Sequence, residues 1–481
     1  MTKEQVFSNL IWRFLERVGA QLVTFVVSII VARIVGPDAY GIVAIVMVVT
    51  NVLSVFVDSG LGTALIQKKD VDNVDYSTVF YFNLISCAVI YLAVYCLAPS
   101  IAKFYGNVDL SIYIRVSALS LFIAGFKNIQ IAYVSRNLLF KKYFQATMVG
   151  TVIAAFVGIS MALMGYGVWA LIVQNLVNMS IDTLVLYFIV GWKPILSFSF
   201  RRLKQLFTYG VKILVAALMD MIFNEARTLV IGKKYSTGDL AYFKKGQQFP
   251  NLIAQNINSS IDNVLLSVLS KENEDVERVK QMTKRSIKMS SYVLWPIMVG
   301  LAVCSESFIC LLLGEEWLPC VPYIRIFCFM YVFYPIISTN GEVIKSLGRS
   351  DIFLKLNITN NVIGIVLLMV TMNISVYAIA FGFLVWTLTS QIINTIPNQK
   401  LIHYSYFEQM KDISPSILLS IFMGIVVFFI GRLNWNYIIL LCIQVISGIA
   451  IYVIGSYVLK FEEFFYILGL VKNLLSKKKG N

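Results

Sequence analysis

The feature that most constrains this sequence is a series of apolar runs, each about 20 residues long, that recur from one end to the other. A helix of that length crosses the roughly 30 Å hydrocarbon layer of a membrane, where helices satisfy their own backbone hydrogen bonds. The 481 residues are 58% hydrophobic and only 14% charged. Soluble domains carry roughly a quarter charged residues, so an ordinary soluble enzyme is excluded.

The runs predict an all-α polytopic membrane protein with about 14 transmembrane helices. The predicted spans are residues 10–35, 39–61, 78–98, 110–134, 146–164, 168–190, 206–231, 240–269, 290–313, 321–344, 352–372, 375–396, 413–430 and 437–459. The first span is long and contains Arg13, Glu16 and Arg17, so it does not have the pattern of a cleavable signal peptide.

Lys and Arg are distributed unevenly among the connections. With a cytoplasmic N-terminus, the outer connections hold only Lys103, Lys233, Lys234 and Arg432. The inner ones hold Lys68, Lys69, Arg136, Lys141, Lys142, Lys193, Arg201, Arg202, Lys204, Lys271, Arg278, Lys280, Lys284, Arg285, Lys288, Arg349, Lys400, Lys411, Lys472 and 477–479. This asymmetry predicts that both termini are cytoplasmic. It also accounts for most of the net charge of +14 without a nucleic-acid partner.

The polar connection 192–205 divides the chain into two predicted lobes. Its apolar and basic residues favour an interfacial helix on anionic lipid. We therefore expect an N-terminal lobe at 1–191 with helices one to six, and a C-terminal lobe at 206–398 with helices seven to twelve. Two additional helices and a basic cytoplasmic tail occupy 399–481.

The sequence lacks the residues that several kinds of chemistry require. The seven cysteines form no CxxC pair, and His403 is the only histidine, so we expect no metal site. A phosphate-binding loop of the Gly-x-x-x-x-Gly-Lys-Ser/Thr type is missing, and no cofactor is predicted. Because no external connection is long enough for a catalytic domain, we expect a transporter rather than an enzyme.

Ionisable residues inside spans are costly and are candidates for function. In span seven, Tyr209, Lys212, Asp220, Asn224 and Arg227 share one helical face, with Glu225 beside it. The candidate substrate-binding cations are Arg13, Arg17, Arg115, Lys212, Arg227, Lys244, Lys245 and Arg325. The candidate ion-coupling acids are Asp58, Asp220 and Glu225. The candidate polar cavity residues are Asn51, Asn224, Gln248 and Gln255.

These groups indicate a vestibule to which helices one, two, seven and eight turn polar faces. Its cations suit an anionic substrate such as a diphosphate, and its acids could bind a proton or Na⁺. Two plainer interpretations remain open. The groups of helix seven could form internal ion pairs that only hold helices together, and Lys244, Lys245, Arg13 and Arg17 could snorkel to lipid headgroups.

Several short motifs resemble those of a known family. They include Ala32-Arg33-Ile34-Val35-Gly36-Pro37, Tyr40-Gly41, Asp58-Ser59-Gly60-Leu61, Gly165-Tyr166-Gly167-Val168-Trp169, Trp192-Lys193-Pro194, Gly238-Asp239-Leu240-Ala241-Tyr242 and Leu313-Gly314-Glu315-Glu316-Trp317. The chain resembles the polysaccharide transporters of the bacterial multidrug/oligosaccharidyl-lipid/polysaccharide superfamily, over roughly its first 350 residues. The last four helices match only in hydropathy.

The resemblance implies fourteen helices in two lobes around a central cavity in the bacterial inner membrane. It implies that undecaprenyl-diphosphate-linked oligosaccharides are flipped for surface polysaccharides, including lipopolysaccharide, capsule and exopolysaccharide. A polysaccharide polymerase and chain-length machinery could be partners. The alternatives are a multidrug exporter of the same superfamily, which favours an acidic, aromatic cavity, and a membrane-bound polymerase or ligase.

Overall fold

A computed structural model describes residues 3–58, 60–68, 70–269, 275–433 and 435–469. Every regular element of these residues is helical, which confirms the predicted fold class. Two compact units divide the chain, Met1–Ala241 and Tyr242–Asn481.

The helices of the first unit follow the predicted spans closely. They are α1 (Lys3–Val35), α2 (Pro37–Asp58), α3 (Leu61–Gln67), α4 (Asn73–Tyr105), α5 (Leu110–Ser117), α6 (Ser120–Asn137), α7 (Phe140–Leu163), α8 (Val168–Val190) and α9 (Phe200–Lys234). The next helix, α10 (Thr237–Leu269), begins in the first unit and continues in the second.

The second unit is also built from long helices. They are α11 (Val276–Leu312), α12 (Val321–Tyr331), α13 (Tyr334–Ser346), α14 (Ser350–Thr371), α15 (Val376–Leu401), α16 (Tyr406–Ile430) and α17 (Tyr437–Val458). A short 3₁₀ segment, Glu315–Cys320, leads into α12.

Among the described residues, 11 helical stretches are long and apolar enough to cross a membrane. Three of them join consecutive helices, as α2 and α3 do in Pro37–Gln67. The polar helices α9 and α10 have 35 and 33 residues but do not belong to this set. The chain is thus a multi-pass membrane protein, and the total of fourteen spans and the position of the termini stay predictions.

Local sequence signals explain where several helices begin and end. The Asp72 side chain accepts a hydrogen bond from the Asp75 backbone N–H, and the Asp75 side chain accepts one from the Asp72 backbone N–H. Such a capping box satisfies backbone donors that the first helical turn leaves open. Between α1 and α2, Gly36 has φ 80°, a conformation that favours glycine, and this allows the chain to reverse before Pro37.

The two helices α7 and α8 approach each other unusually closely. Small buried residues recur every four positions along α7, namely Ala146, Gly150, Ala154, Gly158 and Ala162. A Cβ at Gly150 would lie 2.9 Å from the Cβ of Asp182, and one at Gly158 would lie 2.6 Å from Gln174 Oε1. The stripe of small residues therefore lets the helices pack almost backbone to backbone, a common arrangement in membranes.

The connection before α9 differs from expectation. Residues 191–199 contain no helix, so the interfacial helix predicted over 192–205 is wrong in its first part. The cause is a set of competing hydrogen bonds. Ser77 Oγ accepts from the Ile195 N–H at 3.0 Å, and Thr78 Oγ1 accepts from the Ser199 N–H at 3.1 Å. These bonds hold the connection in an extended form against α4.

Helix α9 packs against α2, α3 and α4 of the first unit. The division between the compact units therefore falls after α9, whereas the predicted lobe boundary precedes it. The predicted lobes describe which helices act together during transport, and that assignment stays a prediction.

Four buried polar side chains, here called the amide cluster, join α13, α15 and α16 in the second unit. Its members are Asn340, Thr395, Asn398 and Gln409, each at most 1% exposed. Asn398 Nδ2 donates to Asn340 Oδ1 at 2.7 Å, and Asn340 Nδ2 donates to Gln409 Oε1 at 2.9 Å. Reciprocal bonds of this kind make buried amides tolerable in an apolar environment.

Candidate functional site

The pairing of α2 with α9 positions the most informative candidate residues. Gly41 lies so close to the Thr237 backbone that no side chain would fit between them, and the Ile45 side chain packs on Gly232. These contacts show that α2 runs antiparallel to α9. Continuing the same register brings Asn51 to the level of Arg227, about two turns below the Gly232 contact.

Side chains near this level differ in exposure. Asn51, Asp220 and Asn224 are exposed, whereas Arg227 is only 5% exposed and its guanidinium lies 5.2 Å from the ring of Phe223. An exposed carboxylate near the middle of a 35-residue helix needs water or a polar ligand, because hydrocarbon does not solvate it. This part of α9 therefore has the composition of a hydrated surface.

The neighbouring acid Glu225 is half-buried and already engaged. Its Oε2 accepts a hydrogen bond from Thr228 Oγ1 at 2.9 Å, one turn farther along α9. The interpretation of Glu225 as a structural acceptor therefore remains open beside its predicted coupling role.

Arg115 of α5 lies against α4 rather than projecting away from the protein. Its Nε donates to the Tyr95 carbonyl at 3.1 Å, and its guanidinium lies 4.0 Å from the centroid of the Tyr95 ring. The rings of Phe82 and Phe207 are 5.8 Å apart, and the Tyr105 hydroxyl donates to the Leu229 carbonyl at 3.5 Å, so α4 and α9 run parallel with a nearly constant offset. That offset brings Tyr95 to the level of Asp220 on α9.

The second unit places the α10 candidates differently. Lys244 and Gln248 are half-buried and Gln255 is exposed, but Lys245 is only 4% exposed. The adjoining Gly246 explains this burial, because a Cβ there would lie 2.5 Å from the Cβ of Tyr323 on α12. In this conformation Lys245 is enclosed by protein and does not line an open surface.

Arg325 of α12 forms a surface ion pair. Its guanidinium lies 3.8 Å from Glu306, and its Nε donates to Ser305 Oγ at 3.3 Å. Both charged side chains are about half exposed, and pairs of this kind contribute little to stability.

Four predicted residues have side chains outside the described part of the structure, namely Arg13, Arg17, Asp58 and Lys212. The helices α1, α2 and α9 include their backbones. Their assignment to the vestibule stays a prediction.

An ion pair inside the membrane segments was missed from the sequence. Lys127 Nζ on α6 lies 2.5 Å from Asp182 Oδ2 on α8, and the side chains are 17% and 5% exposed. Asp182 is the only charged residue of its predicted span, and Lys127 shares its span with Arg115 alone, so no spacing pattern marks either residue. The signal was the presence of an ionisable residue within each span, which by itself indicates a candidate.

The described candidates can bind an anionic or sugar-like ligand through hydrogen bonds. Guanidinium groups bind phosphate oxygens in a fork, and exposed amides and carboxylates bind sugar hydroxyls. Within the described residues, no group of three or more His, Cys, Asp or Glu is placed to hold a metal ion.

Comparison with known protein families adds a decisive observation. The profile of the family described as "Polysaccharide biosynthesis protein" matches residues 30–322, which is more than half of the chain. The chain belongs to this polysaccharide biosynthesis family. The matched region includes α2, α9 and α10, which carry most of the described candidate residues.

Two relatives of the chain are named for polysaccharide biosynthesis. The chain is 23% identical over 347 residues to the succinoglycan biosynthesis transport protein ExoT of Rhizobium meliloti, covering 72% of this chain and 70% of ExoT. It is 22% identical over 417 residues to the lipopolysaccharide biosynthesis protein WzxC of Escherichia coli, covering 85% of this chain and 82% of WzxC.

Solved structures show the same fold. The lipid II flippase MurJ, in an inward closed conformation, matches with a TM-score of 0.77 at 15% identity, covering 93% of this chain and 98% of MurJ. An inward-facing multidrug transporter of the MATE family matches with a TM-score of 0.63 at 15% identity, covering 80% of this chain and 94% of the transporter. The fold is that of the predicted superfamily, and the chain is a multi-pass protein of the bacterial inner membrane.

Proposed function

We propose that this chain is a flippase that moves undecaprenyl-diphosphate-linked oligosaccharide units to the outer leaflet. The product would be a surface polysaccharide, whether lipopolysaccharide O-antigen, capsule, exopolysaccharide or a teichuronic-type polymer. The observation that carries the proposal is the family match over residues 30–322. The similarity to ExoT, a succinoglycan transport protein, and to MurJ, a lipid II flippase, also supports it.

The physical chemistry of the described helices fits this substrate. A glycan and a diphosphate cannot enter hydrocarbon without replacement of their hydration. The exposed polar side chains of α2 and α9 supply such replacement, with Arg227 as a nearby cation. Outward movement of negative charge also gains about 2.3 kcal/mol per charge per 100 mV of inside-negative potential.

We propose alternating access as the mechanism, with the polar faces of α1, α2, α9 and α10 forming the vestibule. The candidate cations other than the enclosed Lys245 hold the diphosphate, and Asp58, Asp220 or Glu225 couples transport to H⁺ or Na⁺. A polymerase and chain-length machinery receive the flipped unit on the outer side. In this scheme the chain is a transporter and catalyses no bond change.

A multidrug antiporter is the second candidate, because the MATE fold is shared. Cationic drugs favour acidic and aromatic cavities. The candidate residues of this chain include more cations than acids, which suits an anionic substrate better than a cationic drug. The family match also favours a polysaccharide precursor.

Substitution of the central charges tests the vestibule in cells. Asp220→Ala and Arg227→Ala are expected to reduce surface polysaccharide at least about tenfold, since one hydrogen bond to a charged group contributes roughly 1.5–3 kcal/mol. Membrane levels of each protein must be measured alongside. Arg349→Ala is the matched control, because Arg349 is an exposed arginine paired with Asp351 outside the candidate site. Normal export by both variants would refute the vestibule.

A further inference from the structure

The connection between α8 and α9 presents large apolar side chains on the surface of the first unit. Residues 193–201 of this connection are here called the inner loop. Leu196 is 98% exposed, Phe200 is 74% exposed and Phe198 is 48% exposed. The three lie within five consecutive positions, so they form one apolar patch. A patch of this kind marks a contact with another molecule or with lipid, because water is an unfavourable neighbour for it.

Contacts with α4 fix the position of the inner loop. Trp192, which precedes it, is buried, and its ring centroid lies 5.8 Å from that of Tyr76 and 6.1 Å from that of Phe80. The hydroxyls of Ser77 and Thr78 accept hydrogen bonds from two backbone N–H groups of the loop. The loop backbone is therefore bound to α4, and the apolar patch remains on the outside.

The level of the inner loop relative to the membrane follows from the same contacts. The predicted apolar span of α4 begins at residue 78, and Thr78 Oγ1 accepts the hydrogen bond from the Ser199 N–H at 3.1 Å. The rings of Phe82 and Phe207 meet one turn farther into that span. The patch thus lies where acyl chains meet headgroups on the predicted inner side, which is the depth at which amphipathic segments bind membranes.

Two exposed cations stand at the ends of the patch, Lys193 and Arg201. The neighbouring Arg202 is used within the protein, because its guanidinium pairs with Asp72 and Asp75. Basic side chains beside apolar ones at this depth attract anionic headgroups. A soluble protein partner would have to displace lipid to reach the patch, so its level and its flanking charges both favour lipid as the occupant.

We propose that the inner loop binds anionic phospholipid of the inner leaflet. The apolar patch enters the boundary of the acyl chains, and Lys193 and Arg201 bind the phosphate groups. Because the loop joins the two predicted lobes, bound lipid holds this connection at the membrane surface. The inference does not depend on the flippase proposal, since it concerns a surface outside the proposed vestibule.

The test uses the purified full chain in a neutral detergent, with phosphatidylglycerol or phosphatidylcholine added as mixed micelles. The measured quantity is the lipid concentration that gives half of the maximal rise in melting temperature. Phosphatidylglycerol is expected to act at a lower concentration than phosphatidylcholine. Lys193→Gln with Arg201→Gln should raise the phosphatidylglycerol midpoint about 25-fold, because each cation near an anionic surface contributes about fivefold.

The matched control is Lys400→Gln with Lys411→Gln. It also removes two exposed cations of the predicted inner side, but in the second unit and away from the patch. This variant should keep the wild-type midpoint for phosphatidylglycerol. Leu196→Asn should weaken the effect of both lipids alike, because it reduces the apolar patch and leaves the cations in place.

Hydrogen exchange locates the bound lipid. Exchange of the backbone amides of residues 193–201 should slow in nanodiscs that contain phosphatidylglycerol, compared with nanodiscs of phosphatidylcholine alone. Unchanged exchange there, or a double variant with the wild-type midpoint, would overturn the proposal. If the double variant does not fold, Lys193→Gln alone supplies the answer through its fivefold shift.

Two further ligands separate the sources of phosphate. Undecaprenyl diphosphate and inorganic phosphate are tested in the same way as the phospholipids. Stabilisation by undecaprenyl diphosphate but not by phosphatidylglycerol, lost in the double variant, would assign the surface to the transported lipid and overturn the proposal. An equal effect of inorganic phosphate would indicate a site for soluble anions and would overturn it as well.

Discussion

The two units bury polar side chains in opposite ways. The first unit buries the Lys127–Asp182 ion pair, and the second buries the neutral amide cluster. Amides both donate and accept, so the members of the cluster bond to each other and no member needs to change protonation. An ion pair in an apolar surrounding is stable only while both of its charges are present. The comparison therefore indicates that loss of one partner costs more stability at the ion pair than at the amide cluster.

The largest effect is expected when the ion pair loses one partner. Lys127→Met leaves Asp182 buried without its cation, which should lower the free energy of unfolding by about 3–5 kcal/mol. Thermal unfolding in detergent measures the loss. The double variant Lys127→Met with Asp182→Leu should recover most of it, since an apolar pair replaces the charges. A single variant as stable as wild type would mean that the charges are solvated.

The amide cluster should respond less strongly and without pH dependence. Asn340→Leu leaves the amides of Asn398 and Gln409 without partners, at a cost of about 1–3 kcal/mol. The loss should be equal at pH 5 and pH 8, because none of these groups titrates. Asn137→Leu, at an exposed amide, is the control and should have little effect. A loss that changes with pH would remove the distinction between the two clusters.

The close approach of α7 and α8 provides a third test, because it keeps Asp182 buried. Gly150→Ala should destabilise by about 1–3 kcal/mol, since the added methyl group meets both the Asp182 side chain and its backbone. Gly300→Ala in α11 has open space and should stabilise by about 0.5–1 kcal/mol through helix propensity. Equal effects of the two substitutions would contradict the packing of α7 on α8.

The smallest effect concerns an exposed ion pair at the inner end of the first unit. The hydrogen bond from Arg202 at 2.5 Å holds the pKa of Asp72 below its usual range. Its contribution to stability is therefore full above about pH 4 and declines as the pH falls through the lowered pKa. Asp72→Asn keeps a good helix cap and removes the charge.

The melting temperature of Asp72→Asn should lie slightly below that of wild type at pH 7. The difference should shrink as the pH falls through the lowered pKa of Asp72, where the wild-type carboxyl becomes protonated and loses its charge as well. A difference that persists at low pH would assign the effect to the cap rather than to the ion pair with Arg202.

The fold could be predicted from the sequence because apolar runs set the positions of the membrane helices. Even α9 and α10, which are too polar to qualify as spans by composition, begin and end near the predicted residues. The connection 191–199 could not be predicted, because its extended form depends on the hydroxyls of Ser77 and Thr78 from a distant part of the chain.

The candidate site could be predicted less completely. Helical spacing placed Asp220 and Arg227 on one face of α9, but the packing of neighbouring helices on α9 leaves Arg227 buried while Asp220 stays exposed. Spacing along one helix also could not reveal Lys127 and Asp182, because the contact between α6 and α8 joins them. Burial of Lys245 likewise follows from the packing of Gly246 on α12.

Flipping by the purified chain tests the central claim most directly. Liposomes containing the protein and a fluorescent undecaprenyl-diphosphate glycan would be treated with an impermeant reagent that modifies only glycans on the outside. The account predicts that the protein makes the inner pool of glycan accessible and that a pH or Na⁺ gradient shifts the final distribution. Intact, inserted protein that leaves the inner pool of several different glycans protected would contradict it.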